Sequence, residues 1–235
     1  TTGLFRTGII SLRPGSECKS MDGYADMAFL LGEAYCLRAM IYFDLIKTWG
    51  DVPARFEPIE SETIYMGKAN RDVIYKQILS DLEAAIPMLP YPGEGKSVST
   101  IRANRNFAQG LYARIALSAA GYALRVPDGQ EGTGNPGEIR LSNDEALSVA
   151  VLYPKALDYL KDVIASGKNS LEQDYEKMWY NMNNLDITPG KETIFSIPFV
   201  GLNEEGIPQI INEKGEVTTS DINFQDFENL DFLKY

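Results

Sequence analysis

Apolar residues recur at the three- and four-residue spacing of an amphipathic helix in four segments of the chain. The first predicted helix runs from about Tyr24 to Trp49, and the following Gly50 is typical of a helix end. The second runs from about Asn70 to Ile86, with Asn70 as its N-cap. The apolar positions that define these two helices are Met27, Leu30, Leu31, Ala34, Leu37, Ile41 and Leu45, and then Ile74, Ile78, Leu82, Ala85 and Ile86.

Two further helices are predicted in the middle of the chain. One runs from about Asn104 to Arg125, and the other from Tyr153 to Ser166, where Pro154 suits the first turn. The spacing of Ser142 and Glu145 is that of a capping box, which predicts an earlier helix that breaks or kinks at Pro154. The residues of the third helix that we expect to face inward are Ala108, Leu111, Tyr112, Ile115, Ala116 and Ala119.

The four helices carry matching patterns, which favour two copies of a helical hairpin. Small residues would let paired helices approach closely, while a row of Leu and Ile fills the groove between them. Chance is the alternative, because any two amphipathic helices share some spacing. The matched positions are Ala34, Leu37, Ala39 and Ile41 with Ala108, Leu111, Ala113 and Ile115, and Tyr75, Leu79, Leu82 and Ile86 with Tyr153, Leu157, Leu160 and Ile164.

Composition excludes several classes of function. The 235 residues include 22 Lys and Arg, 33 Asp and Glu and no His, for a net charge of -11. The acidic excess lies in residues 126–235, which hold 8 basic and 20 acidic side chains. Nucleic-acid binding is disfavoured because phosphate contacts need clustered Lys and Arg. The absence of His excludes a Ser-His-Asp triad, a His general base and a His metal ligand.

The two cysteines and the longest apolar stretch carry no special chemistry. Cys18 and Cys36 do not form a C-x-x-C pair, which excludes a zinc or thioredoxin-like site. A buried free thiol is favoured for Cys36 over a disulfide, since it lies in an apolar helical pattern. Residues 27–49 contain four charged side chains, which excludes a membrane span.

Several short strings imitate catalytic motifs without the required context. Residues 95–97 end like a phosphate-binding loop and residues 132–137 spell G-x-G-x-x-G, but neither lies between a predicted strand and a helix. Ser16 and Lys19 have the spacing of a serine acylase pair, yet the chain has no Lys-Thr-Gly partner. We therefore expect no catalytic residue, no cofactor and no metal. A pair of carboxylates for glycoside hydrolysis stays open, because 33 acids offer many pairs.

Four sequence blocks, in order, resemble the SusD/RagB family. The run GEAYCLRAMIYFDL at 32–45, followed by WGDVP at 49–53, is similar to the family's signature helix and turn. NRDVIY at 70–75 resembles its second helix, and RANR at 102–105 with LYARIAL at 111–117 resembles its third. The fourth block starts at Tyr153 and ends with E-x-IFSI at 192–197, and it resembles the fourth helix and the strand-like piece after it.

The resemblance implies a mainly α fold of tetratricopeptide-like helical hairpins with long loop insertions, an α–α superhelix. It further implies one SusD-like domain over 1–235, the N-terminal part of the family fold. Its helical-pair core would span about 24–167, and a loop and strand-like region would span 168–235. Residues 1–20 match poorly, the match lapses beyond Phe199, and the family's C-terminal half is missing, so we expect an incomplete chain.

For function, the resemblance implies a cell-surface lipoprotein of the outer membrane of Bacteroidetes-type bacteria. Such a protein binds oligosaccharides or other nutrients and acts as the lid of a SusC-like TonB-dependent β-barrel transporter. It is not an enzyme, and it reaches the membrane only through a lipid anchor whose cysteine is absent from this chain. Two alternatives stay open: a helical-repeat scaffold that grips a peptide or protein in its inner groove, and a carboxylate-dependent glycosidase.

Ligand-binding candidates follow from the chemistry of sugars, whose apolar C–H faces stack on exposed aromatic rings beside hydrogen-bonding groups. Tyr65 lies in a polar linker, and Tyr180 lies beside the amides of Asn181 and Asn183. The remaining prominent residues have structural interpretations. Trp49 and Trp179 are expected to pack in the core, Asp51 to form a turn, and Glu33 and Arg38 to pair with neighbouring elements.

Overall fold

Helices dominate the regular structure of the computed structural model. It describes residues 22–61, 64–183 and 186–197, together with the backbone of 210–211 and 217–218. The helices are α1 (Asp22–Trp49), α2 (Arg71–Ala85), α3 (Arg105–Ala119), α4 (Val149–Ala165) and α5 (Tyr175–Asn183), and the strands are β1 (Ala123–Arg125), β2 (Glu138–Arg140), β3 (Ile210–Ile211) and β4 (Val217–Thr218). Antiparallel pairs form between β1 and β2 and between β3 and β4.

Successive helices pack side by side, α1 on α2, α2 on α3, and α3 on α4. The core lies along the two middle helices, α2 and α3, where the inward positions predicted from the sequence are all buried. This arrangement confirms the mainly α, tetratricopeptide-like class of helical hairpins. Among the described residues, no helix is long and apolar enough to cross a membrane.

The predicted ends of α1 and α2 are confirmed by their capping contacts. Gly50 has a φ of 73°, a conformation that side-chain-bearing residues rarely adopt, and its N–H donates to the Ile46 carbonyl at 3.0 Å. The side-chain oxygen of Asn70 accepts a hydrogen bond from the Asp72 N–H at 2.9 Å. The end of α1 and the start of α2 are therefore set by local sequence.

The third helix is shorter than predicted, because it ends at Ala119 and not at Arg125. Arg125 lies in β1, and its guanidinium is buried beneath the hairpin. It donates to the carboxylate of Asp72 and to the carbonyls of Ala119, Gly121 and Arg140. If α3 continued as a helix through residue 125, the Arg125 guanidinium could not reach these partners.

The start of the fourth helix was also predicted wrongly. The helix begins at Val149, so that Pro154 lies inside it rather than in its first turn. Ser142 caps no helix. Its hydroxyl donates to Asp72 at 2.6 Å and accepts from the Asp144 N–H, and Asp144 then caps a single 3-10 turn at Glu145–Leu147.

The apolar positions that define α1 in the sequence are mostly not the ones that face the core. The buried side of the helix comprises Ala28, Phe29, Cys36, Ala39, Phe43 and Ile46, whereas Met27, Leu30, Leu37, Ile41 and Leu45 are exposed. The helix is apolar on more than one side, so periodicity could not choose the side that faces α2. Trp49, expected in the core, is 71% exposed.

The matched helix positions do not have matched surroundings. Tyr75, Leu79, Leu82 and Ile86 of the α2 region are buried, whereas their counterparts Tyr153, Leu157, Leu160 and Ile164 on α4 are exposed. The α4 residues that do enter the core are Leu152 and Ala156. The interpretation of the α4 row as a groove-filling surface is therefore wrong, although the helices do stack.

Charged residues of α1 pair with neighbouring elements, as predicted. Arg38 donates to both carboxylate oxygens of Asp81 on α2, at 2.7 and 2.6 Å. Glu33 accepts from the Arg102 guanidinium at 2.8 and 2.7 Å. Asp51 forms more than a turn, since its carboxylate also accepts from the backbone and side chain of Arg71. These pairs tie α1 to the loops and to α2.

Cys36 is a free and buried thiol, as predicted. Burial raises its pKa, and the nearby carboxylates of Glu33 and Asp81 raise it further. The thiol therefore stays protonated and inert at neutral pH. Cys18, Ser16, Lys19 and Phe199 lie outside the described residues.

Candidate functional site

The two ends of the helical array carry different loops. At one end, called here the α2 start, Asp51 of the α1–α2 loop accepts from the Arg71 N–H, and Arg125 of the β1–β2 hairpin donates to Asp72. At the other, the α2 finish, residues 186–197 contact the loop before α3, with the Thr100 N–H donating to the Ile187 carbonyl at 2.8 Å. The 15 residues of α2 separate these ends by about 22 Å, at 1.5 Å per residue.

The predicted site residues are divided between the two ends. Tyr65 is 94% exposed at the α2 start, in the loop where the Arg55 guanidinium donates to the Ile64 carbonyl. Tyr180 is 64% exposed on α5, at the α2 finish. Asn181 is half-buried beside it, and Asn183 is the last residue of α5, with a side chain outside the described part. Tyr65 is therefore too far from the other three to share a short ligand with them.

The helix α5 is short and touches the rest of the protein along one side. Asp174 sets its start, because its carboxylate accepts the Lys177 N–H at 3.1 Å. Met178 and Asn181, three residues apart, are its half-buried members. They line a small polar notch that encloses about 20 Å³, room for one water molecule. The other residues lining this notch are Glu172, Asp186, Thr188, Lys191, Glu192 and Thr193.

An ion pair and hydrogen bonds hold the polar groups of Asp186 and its neighbours in the α5 notch. Asp186 accepts hydrogen bonds from the ammonium of Lys191 and from the Thr188 N–H. Burial opposes ionisation of Asp186, but these hydrogen bonds outweigh it and lower the pKa of the carboxyl. The Asp186 N–H in turn donates to the Asn181 carbonyl at 2.9 Å, which holds the loop against α5. Glu192 accepts from the Glu172 N–H at 2.9 Å.

Aromatic residues are concentrated on α5. Seven aromatic side chains of the described residues are exposed by at least 40%, and three of them lie on this nine-residue helix. Tyr175 is 74% exposed and Trp179 is 59% exposed. They stand four residues apart, so their rings lie on one side of the helix. The expectation that Trp179 packs in the core is therefore wrong. We call Tyr175 and Trp179 the aromatic ridge of α5, and its exposure follows from tertiary packing, which a sequence pattern does not contain.

A second polar surface lies at the α2 start. It is an open cavity of about 410 Å³, a volume in the range of small-ligand sites. Lys76 and Asp144 form an ion pair at 2.5 Å within it, and the hydrogen bond from Lys76 lowers the pKa of Asp144. The Asn70 amide donates to Asp128 at 2.7 Å on its rim. The residues lining the cavity are Asn70, Asp72, Val73, Lys76, Asp128, Glu131, Arg140, Asn143 and Asp144.

Neither surface has the composition of a metal centre. Within the described ranges, no group of three or more His, Cys, Asp or Glu side chains is placed to hold a metal ion. Both surfaces instead offer amides, carboxylates and ammonium groups that can exchange hydrogen bonds with a hydroxylated ligand. Neither lining contains an aromatic residue, but exposed aromatic rings stand on α5 beside the first surface.

Comparison with known proteins finds a family that is similar to the first part of the chain. The SusD-like family model described as "Starch-binding associating with outer membrane" matches residues 13–117. A SusD-like protein from Formosa agariphila is 31% identical over 85 residues, which are 35% of this chain and 16% of that protein. The family match therefore covers α1, α2 and most of α3.

Solved structures share the fold at lower identity. A SusD homolog from Bacteroides thetaiotaomicron superposes with a TM-score of 0.58 at 21% identity, over 79% of this chain and 31% of that one. A protein solved with a xylogluco-oligosaccharide superposes with a TM-score of 0.53 at 21% identity, over 80% of this chain and 32% of that one. The chain thus spans about a third of the length of these structures. The family model and the curated relative thus match part of this chain, and the solved homologs share its fold, so the chain is similar to SusD-like proteins, in agreement with its resemblance to SusD/RagB.

Proposed function

We propose that this chain is part of a cell-surface protein that binds oligosaccharides at the outer membrane and passes them to a SusC-like TonB-dependent transporter. The observation that carries the proposal is the match of residues 13–117 to a family described as starch-binding and associated with the outer membrane. A protein of the same fold that was solved with a xylogluco-oligosaccharide supports the glycan part. The transporter part rests on the resemblance to SusD/RagB alone.

The surface chemistry of the chain fits a neutral, hydroxylated ligand. Exposed tyrosine and tryptophan rings offer faces for the C–H side of a sugar, and half-buried amides and carboxylates offer partners for its hydroxyls. The acidic net charge of -11 disfavours polyanionic ligands through repulsion. We further infer that the protein binds without cleaving, in line with a family described by its binding.

Native affinity electrophoresis tests the glycan part. The protein is run through gels that contain soluble starch or xyloglucan, with a non-binding globular protein as the mobility standard. Retardation in either gel supports the proposal, and unchanged mobility in both contradicts it. The transporter part has a separate test, because an affinity-tagged protein purified from solubilised outer membranes should carry a large β-barrel with it. A soluble partner in place of the barrel would instead favour a scaffold.

The scaffold alternative has one observation in its favour. Helix α1 presents an apolar row to the surface, and a shallow depression lies against Ile41, Leu45 and Trp49 at its C-terminal end. Exposed apolar rows of this kind commonly contact other protein surfaces. The two functions are compatible, since a protein that works with a transporter needs both a ligand surface and a protein-contacting surface.

A further inference from the structure

The geometry points to the open cavity at the α2 start, called here the α2-start cavity, as a subsite that holds a neutral sugar unit through hydrogen bonds to its hydroxyls. This inference rests on the proposed glycan-binding function and gives it a location and a ligand charge. None of the four candidates that the sequence favours lines this cavity.

Three segments of the chain surround the α2-start cavity. The start of α2 contributes one side, the loop between β1 and β2 a second, and β2 with the residues after it a third. Val73 and Lys76 stand three residues apart on α2, so their side chains are neighbours on the side of the helix that meets the cavity. Its volume of about 410 Å³ lies within the range of about 300–1,000 Å³ that is typical of small-molecule sites.

Contacts among the lining residues hold their polar groups in place before a ligand arrives. The Asn70 amide donates to Asp128 at 2.7 Å, which ties the loop between β1 and β2 to the start of α2. Lys76 pairs with Asp144 at 2.5 Å, which ties the residues after β2 to the same helix. A surface that is already ordered loses little conformational entropy on binding.

Other polar groups of the lining are open to a ligand. Glu131 and Asn143 come from different segments, and their side chains make no hydrogen bond within the described part of the chain. Arg140 donates through Nη1 to the neighbouring Leu141 carbonyl at 3.1 Å, and its guanidinium has further N–H groups. Planar carboxylate, amide and guanidinium groups each offer more than one hydrogen-bonding atom, which suits the adjacent hydroxyls of a sugar ring.

Charge in the cavity favours a neutral ligand over an ionic one. Two of its four carboxylates already face a cation, since Asp72 pairs with Arg125 and Asp144 with Lys76. The other two carboxylates and the Arg140 guanidinium remain for a ligand. An anionic group would be repelled by these carboxylates and a cationic group by the guanidinium. A hydroxyl can donate to a carboxylate and accept from a guanidinium, so a neutral sugar can use both.

A pair of matched double variants tests the inference. The cavity variant is Glu131→Ala with Asn143→Ala, and the control is Glu176→Ala with Gln173→Ala. Each removes one carboxylate and one amide, and both control residues are exposed at the α2 finish, away from the cavity. Glu131→Gln, which keeps the size of the side chain, is a third variant. Dissociation constants for starch, xyloglucan and the anionic polygalacturonate are measured for all variants and for the parent protein, with circular dichroism as the folding check.

We expect the cavity variant to bind the neutral polysaccharide that the parent retains about tenfold or more weakly, because it loses hydrogen bonds to one charged and one neutral group. Glu131→Gln should weaken binding about threefold or more, and it decides the matter if the double variant does not fold. The control variant should bind like the parent. Polygalacturonate should not bind, because the carboxylates of the cavity repel it.

The alternative outcomes separate the cavity from the proposed function. Equal losses in the two double variants, a loss confined to the control, or polygalacturonate binding that the cavity variant loses would overturn the cavity assignment. If the parent binds a neutral polysaccharide and the cavity variant binds it equally well, the cavity assignment is wrong and the proposed function stands. If the parent binds neither neutral polysaccharide, the proposed function fails, and the cavity assignment fails with it.

Discussion

At the scale of single residues, Arg125 shows how much a buried charge depends on its partners. Its side chain is fully buried, and it donates to Asp72 and to three backbone carbonyls from α3, the following turn and β2. Isolated burial of such a charge would cost several kcal/mol, and the contacts offset that cost. The contacts of the Arg125 guanidinium therefore join α2, α3 and the β1–β2 hairpin.

We expect Arg125→Ala to lower the free energy of unfolding by about 3 kcal/mol or more, because it leaves the carboxylate of Asp72 without its cation. Urea denaturation at neutral pH gives the measurement. Arg114→Ala is the matched control, since Arg114 is exposed on α3, and it should change stability by less than about 0.5 kcal/mol. Similar effects of the two substitutions would show that the buried network is not a stabilising feature.

Tyr112 makes stability depend on alkaline pH. The ring is buried, and its hydroxyl donates to the Glu83 carboxylate at 3.1 Å. Burial raises the pKa of Tyr112 above its ordinary value, and the charge of Glu83 and the hydrogen bond to it raise it further. Burial likewise raises the pKa of Tyr75 and of Tyr159.

A raised pKa in the folded state favours the protonated hydroxyl. Its contribution to stability is fully present below the ordinary tyrosine pKa of about 10 and is lost as the pH rises beyond that value. We therefore expect the free energy of unfolding to fall from about pH 10 upward, and to fall less steeply in Tyr112→Phe. Urea titrations across this range check the slope. Identical slopes in the parent and the variant would mean that Tyr112 does not take part.

At the scale of elements, the sequence specified the helices better than the faces they bury. Gly50 defines the end of α1 and Asn70 the start of α2, through contacts with residues only two to four positions away. Such local contacts can be predicted from sequence. The end of α3 could not be predicted from sequence, because Arg125 is held by Asp72, which lies 53 residues earlier in the chain. Ser142, read as a helix cap, is likewise held by Asp72.

The same limit applies to the candidate site. The amides that surround Tyr180 and Asn181 in the sequence favour both residues as candidates, and the structure places both on α5. The exposure of Tyr175 and Trp179 depends on which side of α5 meets residues 186–193, and that is a tertiary contact. Aromatic residues are usually core residues, so pattern alone favoured packing for Trp179. The separation of Tyr65 from α5 also follows from the tertiary arrangement.

Two isoleucines of α1 test which side of the helix is the core. Ile46 is 2% exposed and Ile41 is 55% exposed. We expect Ile46→Ala to cost about 2–4 kcal/mol of unfolding free energy, through lost burial and a cavity, and Ile41→Ala about 1 kcal/mol or less. Thermal and urea unfolding of the two variants give the comparison. A larger loss for Ile41→Ala would restore the face that periodicity predicts and would contradict the observed packing.

At the scale of the whole molecule, the helical array presents a different surface at each of its two ends. The α2 start carries an open polar cavity, and the α2 finish carries α5 with its aromatic ridge. The middle helices, α2 and α3, contribute much of the hydrophobic core. The chain spans about a third of the length of the solved relatives.

The most direct test of the central claim, glycan binding without cleavage, is titration calorimetry with xyloglucan and starch oligosaccharides, followed by chromatography of the recovered sugars. The account predicts a saturable heat of binding with at least one of them, and recovery of every oligosaccharide at its original length. No heat with either ligand would contradict the binding claim. Shortened oligosaccharides would contradict the claim that the protein does not cleave, and they would restore the carboxylate-dependent glycosidase.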